Sequence, residues 1–264
     1  MSVRLEMNVT EVRELWEARA RSMGDSRRGV LFKGFSEPAN AALDSWHQRL
    51  VREVLAPELP SGGAVLDIGC GYGRLTRVLS KHRADVVTIG QDISFRYCSF
   101  FASAGGLAVQ ADQEAFPFKP HSLDGALAIT ALMYAERDKV VGVLRGIREV
   151  LRPGAPLLVV DPGEELRAKI ERAGGRRVAT ATGGRGFLRD EYRQLAMAAG
   201  FSVARQGGNP RESLLLLLTL GGKMGWRWVN RMWPRDGVEG GYSALALHRW
   251  MLLRAGDEQP DRTA

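Results

Sequence analysis

The chain has 264 residues, 45% of them hydrophobic, and a formal net charge of +7. That is enough for one domain with its own core plus appendages. No apolar run approaches the ~20 residues of a membrane span, the N-terminus carries Arg4, Glu6, Glu11, Arg13 and Glu14 where a secretion signal needs an apolar core, and two cysteines make neither a disulfide framework nor a structural zinc site.

A reduced, cytoplasmic setting is therefore expected. Residues 1–60 hold nine Lys/Arg against nine Asp/Glu, whereas 205–235 hold six basic residues against Glu212 alone. The positive excess belongs to one late segment, so the overall charge makes no case for nucleic acid, and none is expected as a partner.

The first 55 residues read as a helical lid. An amphipathic helix carries Trp16, Arg19 and Ala20, a basic stretch follows at 27–33, and a helix-like run over Ala41–Leu55 presents His47. The most informative stretch comes next. Apolar β-formers from Ala64 to Leu66 lead to Asp67, then to Gly69, Gly71 and Gly73 at alternate positions, then to a helix-like run, Leu75–Lys81. Such glycines let the backbone take positive φ and approach a ligand too closely for any Cβ. The dinucleotide pattern G-x-G-x-x-G is not met, because Arg74 holds the third glycine's slot. An acid two residues before the first glycine suits a pyrophosphate badly. It suits a zwitterionic ligand with a cationic centre.

A second β-type run, Ala84–Gly90, leads to Asp92 and Ile93; an acid at the end of such a strand is placed to accept hydrogen bonds from ribose hydroxyls. A helix over Phe95–Ser103, a short strand over Leu107–Gln110, and Asp112-Gln113 follow, then a strand over 123–130 ending in Thr130. Residues 140, 141, 143, 144, 147, 150 and 151 form a helical stripe that stops at Pro153-Gly154. Pro156–Val160 is a fifth strand ending at Asp161-Pro162, and Asp190–Ala199 is helical.

The stretches around Asp67–Arg74, Gly90–Ser94, Asp112–Phe118 and Glu149–Gly154, in this order, resemble the motifs of class I S-adenosylmethionine-dependent methyltransferases of the small-molecule type. The resemblance covers roughly residues 60–205. It implies an α/β fold with a doubly wound, seven-stranded Rossmann-like sheet, a sixth strand entered at Gly200-Phe201 and an antiparallel seventh at Ala244–Trp250. The core is then 56–205 with 243–254, flanked by the N-terminal lid 1–55, a substrate-lid insert 206–242 and a disordered tail 255–264. The implied cofactor is S-adenosyl-L-methionine, bound by Asp67, Gly69, Gly71, Gly73, Asp92, Ile93, Asp112, Gln113 and Thr130. Asp92 takes the ribose, Asp112 the adenine amino group, and the backbone N–H of Gln113 a ring nitrogen.

Methyl transfer from a sulfonium is an in-line displacement in which alignment alone is worth roughly 7–11 kcal/mol, so a dedicated base is optional. Candidates at the ligand end of the sheet are Tyr134, Asp161 and His47; His82 and His121 fall at the far end, and His248 within the seventh strand. The fourth strand is followed by Ala131-Leu132, not by Asn/Asp-Pro-Pro-Tyr/Phe or Pro-Cys, which argues against amine methylation of nucleic-acid bases and against cytosine C5 chemistry. No His/Cys cluster has metal-ligand spacing, and no metal is expected.

The acceptor is expected to be a small, fairly hydrophobic metabolite of the kind met in secondary metabolism, methylated at oxygen. Trp226, Trp228 and Trp233 among leucines and basic residues leave two alternatives open: a lipid or isoprenoid acceptor reached at a membrane surface, or an ordinary packed insert. A non-catalytic, cofactor-binding partner subunit is the alternative from another class. Oligomeric state has no signal in the sequence.

Overall fold

In the computed structural model, the residues described are 7–165, 168, 184–219, 224–225, 227–228, 231, 238 and 246–256. Seven strands form one sheet in the order β3-β2-β1-β4-β5-β7-β6. They are β1 (Ala64–Ile68), β2 (Val87–Asp92), β3 (Leu107–Gln110), β4 (Gly125–Ile129), β5 (Pro156–Pro162), β6 (Phe201–Gly208) and β7 (His248–Ala255). The first five run parallel, and β7 is antiparallel to both β5 and β6. The doubly wound sheet expected from the motifs is therefore present. Strand order reverses between β1 and β4, the point at which open α/β sheets bind ligands beyond their carboxyl ends.

Helices cover both faces. One layer packs Val140, Val143, Leu144 and Ile147 of a helix at Val140–Val150, and Tyr192 and Ala196 of another at Arg189–Ala198, on Leu66, Ile68, Ala128, Leu157 and Val159. The other packs a helix at Glu37–Leu50, its π-helical continuation Val51–Leu55 and a helix at Arg74–His82 on Val65, Leu127, Leu158, Val160 and Trp250. Among the described residues the α-helices with defined bounds are, in chain order, α1 (Val9–Met23), α2 (Arg27–Val30), α3 (Glu37–Leu50), α4 (Arg74–His82), α5 (Phe95–Ser103), α6 (Val140–Val150), α7 (Arg189–Ala198) and α8 (Pro210–Leu218).

Several boundaries differ from the sequence reading. The segment 1–55 is not one lid. Leu43, Trp46, Leu50 and Val54, spaced three and four residues apart, are at most 2% exposed and belong to the core. Helix α1 remains outside it, and α2 touches it through Val30. Strand β7 begins and ends later than Ala244–Trp250. Its apolar block is covered on both faces and flanked by two strands, pairing Val160 with Trp250 and Pro156 with Arg254, so no period-two alternation marks its ends. Residues 206–208, assigned to the insert, continue β6 past an irregularity between Val203 and Arg205. In α8, Leu215 and Leu216 pack on Phe35 and Ala39; Trp226, Trp233, much of the insert beyond residue 219 and 257–264 of the tail lie outside the described residues.

His47, the candidate base, is fully buried and does not face a ligand cavity. Its Nε2 lies 3.1 Å from Nδ1 of His248, with the rings 9° from parallel. Phe32 and Trp46 flank the pair. Burial pushes His248 down to about 3 and His47 well below the ordinary histidine value. Folded-state values below the unfolded one mean that the unfolded chain takes up protons first, so stability is lost as pH falls below about 6.5. Replacing both histidines by glutamine should flatten the dependence of melting temperature on pH between about 6.5 and 4.5. Wild type and variant with parallel profiles would contradict a buried neutral pair.

Candidate active site

The site is built where β1 and β2 end. After Ile68 the chain turns through Gly69, Gly71 and Gly73, all at positive φ. The Gly69 and Cys70 N–H groups both donate to the Gln91 carbonyl, at 2.7 and 3.0 Å. Gly71 N–H donates to one oxygen of Asp92 and Ser94 N–H to the other, each at 2.8 Å. Asp92 thereby ties the glycine loop to the start of α5. At Gly73, with φ +77°, a Cβ would sit 2.0 Å from the Phe101 ring, so this glycine serves the packing of α4 on α5 and does not line the cavity.

A cavity partly open to solvent lies against this loop. Asp67, Gly69, Gly71, Asp92, Ile93, Asp112, Gln113 and Thr130 all line it, so eight of the nine sequence-assigned cofactor residues converge there. Asp67 accepts from the Thr76 hydroxyl at 2.5 Å. Burial pushes Asp67 and Asp92 up to about 6, although Thr76 and Arg74 oppose the shift at Asp67 and the Ser94 and Gly71 N–H groups oppose it at Asp92. Two desolvated carboxylates in one cavity favour a ligand that brings positive charge and hydroxyl donors.

The other wall is equally ordered. Asp112 accepts from Glu114 N–H at 2.8 Å, and its carbonyl accepts from the Gln91 amide at 2.8 Å. The Gln113 amide spans the Ala131 carbonyl and Ala135 N–H, 3.2 and 2.9 Å away. Thr130, at the carboxyl end of β4, has φ +56°. A β-branched residue in that region is strained, and such strain gathers at ligand sites; its N–H donates to the Val160 carbonyl at 2.6 Å, which fixes it.

Of the catalytic candidates, Tyr134 alone lines the cavity. Asp161 does not: it lies inside β5, 1% exposed, and accepts from Met133 N–H at 3.1 Å and the Tyr192 hydroxyl at 2.7 Å. Burial pushes it up to about 7. Its observed work is to hold the 3-10 turn Leu132–Tyr134 and so to aim Tyr134. Among the described residues, no group of three His, Cys, Asp or Glu is placed to hold a metal ion.

The roof escaped sequence reasoning in its detail. Met7 just ahead of α1, Val9, Val12 and Trp16 from α1 and Val30 from α2 close over the cavity. Asn8 and Glu11 cap α1 reciprocally, which is legible as N-x-x-E. Where α1 docks is not legible: Glu17 accepts from the Ser94 hydroxyl and Arg96 N–H at 3.0 and 3.1 Å, and Trp16 stands edge-on to Tyr134, 5.4 Å between ring centroids. Arg19 braces the α2 region through the carbonyls of Arg28 and Leu31.

Residues 65–154, which hold all these strand-end loops, match the family model described as a methyltransferase domain. That segment is a methyltransferase domain of the S-adenosylmethionine-dependent kind. It is 30% identical over 102 residues to the mouse tRNA (carboxymethyluridine(34)-5-O)-methyltransferase ALKBH8, a stretch that covers 38% of this chain and only 15% of that protein. Among solved structures it is similar to magnesium protoporphyrin IX methyltransferase from Synechocystis with bound S-adenosylmethionine, with TM-score 0.59 and 16% identity over 96% of this chain and all of that one. It is also similar to the [4+2]-cyclase SpnF, with TM-score 0.56 and 18% identity over 93% of each. At these identities the likeness is one of fold, and the cyclase shows that the fold does not by itself set the reaction.

S-adenosylmethionine fits the residues present: its ribose diol suits Asp92, its adenine the Asp112–Gln113 wall, and its ammonium the buried Asp67. Asp92→Ala should weaken S-adenosylhomocysteine binding by ~1.5–3 kcal/mol, the range for hydrogen bonds to a charged group. In the wild type, affinity should fall as pH drops through about 6, because both carboxylates then take up protons and lose their attraction for the ligand. Calorimetry at several pH values checks both; a folded variant with unchanged affinity would remove Asp92 from the site.

Proposed function

We propose that the chain transfers a methyl group from S-adenosylmethionine to a small, fairly hydrophobic acceptor, at oxygen in preference to nitrogen or carbon. The observation that carries this reading is the roof: the cavity is covered by the chain's own Met7, Val9, Val12, Trp16 and Val30. These apolar side chains, in a cavity otherwise lined by acids and amides, suit an apolar acceptor beside a polar cofactor. When bound, the cofactor supplies an electrophilic methyl group. The chain's residues do the rest.

Trp16 and the α1 side chains exclude water from above the glycine loop. Tyr134, at the carboxyl end of β4 and aimed through Met133 by Asp161, is the polar group best placed to orient an acceptor hydroxyl. Its hydroxyl can hydrogen-bond the acceptor oxygen there, and its phenolate form can take up the acceptor's proton. No strong base is required, because alignment lowers most of the barrier. The 206–242 insert is proposed as a further shaper of the acceptor pocket. Its described helix α8 packs on the start of α3, and no described residue of the insert lines the cavity.

The reading is tested by incubating the protein with labelled S-adenosylmethionine and a panel of phenolic and aliphatic hydroxyl metabolites, small amines, lipid vesicles and total tRNA. Label transfer to a small hydroxyl compound is expected. Tyr134→Phe should then lower kcat by about 100-fold, the low side of general acid–base contributions, while leaving S-adenosylhomocysteine affinity within about 2-fold. Label appearing only in tRNA or only in lipid would overturn the small-acceptor reading.

A further inference from the structure

Arg74 holds the place of a third loop glycine, and none of the roles given above uses it. It is the first residue of α4, and it lines the cavity. Its Nη1 is paired with one oxygen of Asp44 in α3; the other oxygen of Asp44 takes Nε of Arg27 at 2.9 Å, and Arg27 reaches Glu37 at 2.7 Å. The Asp44 side chain is 4% exposed and that of Arg74 11%, so both are held inside the protein wall. Asp44 engages one nitrogen of a guanidinium that carries five N–H donors. The fork therefore keeps donors for a second carboxylate.

The partner across the loop is Asp67, seven residues earlier, and the Arg74 charge lowers its pKa against the effect of burial. A buried carboxylate and a braced guanidinium thus flank one glycine turn. That is the complement of an α-amino acid, with an ammonium for Asp67 and a carboxylate for Arg74. Guanidinium–carboxylate pairing is directional and strong where water is excluded.

We propose that Arg74 binds the carboxylate of the cofactor's amino-acid tail and that Asp44 is its positioning residue. Through Arg27, Asp44 links that contact to α2, whose Val30 touches the same cavity. The proposal rests on the reading of this cavity as the S-adenosylmethionine site.

Calorimetry with two ligands tests it: S-adenosylhomocysteine, and its decarboxylated amine, which keeps the nucleoside, thioether and ammonium. Arg74→Gln should weaken the first by about 10- to 100-fold, as expected for a lost charge-assisted contact, and change the second by less than about 2-fold. Asp44→Asn should shift the same ratio in the same direction by a smaller factor, and Arg74→Lys should recover part of it. Equal losses for both ligands, or no loss for either, in variants that melt near wild type would overturn the proposal. Wild-type protein that binds neither ligand would instead defeat the cofactor reading beneath it. If S-adenosylhomocysteine affinity is unchanged and only the acceptor KM rises, Arg74 serves the acceptor and the proposal fails.

Discussion

The carboxylate of Asp92 is the joint on which the site depends. Its two oxygens accept from Gly71 and Ser94 N–H groups, which belong to the loop after β1 and to the cap of α5. One side chain thus fixes the curvature of the glycine loop, the start of the next helix and one wall of the cavity. Desolvation opposes this arrangement, as its elevated pKa shows. A carboxylate held at that cost at a strand end, on the wall of a cavity, marks a candidate ligand group. The same balance recurs at Asp67, where Thr76 and Arg74 partly compensate burial.

Around that joint the fold divides labour between a rigid floor and an added roof. The floor consists of strand ends whose loops are pinned by main-chain bonds, among them Gly69 to Gln91 and Thr130 to Val160. The roof is α1 with α2, docked by a small set of contacts: Glu17 at the α5 cap, Arg19 on α2-region carbonyls, Trp16 against Tyr134, and the Tyr97 hydroxyl on Gly29. Trp16 and Tyr134 meet edge to face, so the roof and the candidate orienting group are positioned against each other.

How much of this was legible depended on whether the signal was local. The glycine loop, Asp92 and the Asp112-Gln113 step declare themselves in a few adjacent residues, because turn geometry and ligand chemistry act over that range. The stripe Leu43, Trp46, Leu50 and Val54 was visible as a helix, but its docking on Val65 and Leu127 is a tertiary fact, so α3 was taken for part of a lid. His47 looked available because its partner His248 lies 201 residues away. Asp161 stands at the correct end of β5, yet Tyr192 and Met133 N–H occupy it. Arg74 was read as a missing glycine; only the fold brings Asp44 beside it.

The central claim is that one cavity at the β1–β4 switch point holds S-adenosylmethionine in a single orientation. A crystal structure with S-adenosylhomocysteine tests it most directly. The account predicts the ribose hydroxyls on Asp92, the adenine beside Asp112 and Gln113, the amino-acid tail at the Asp67 end of the glycine loop, and the sulfur facing the Thr130–Tyr134 segment. A ligand bound with its adenine at Asp67, or bound outside this cavity, would contradict it.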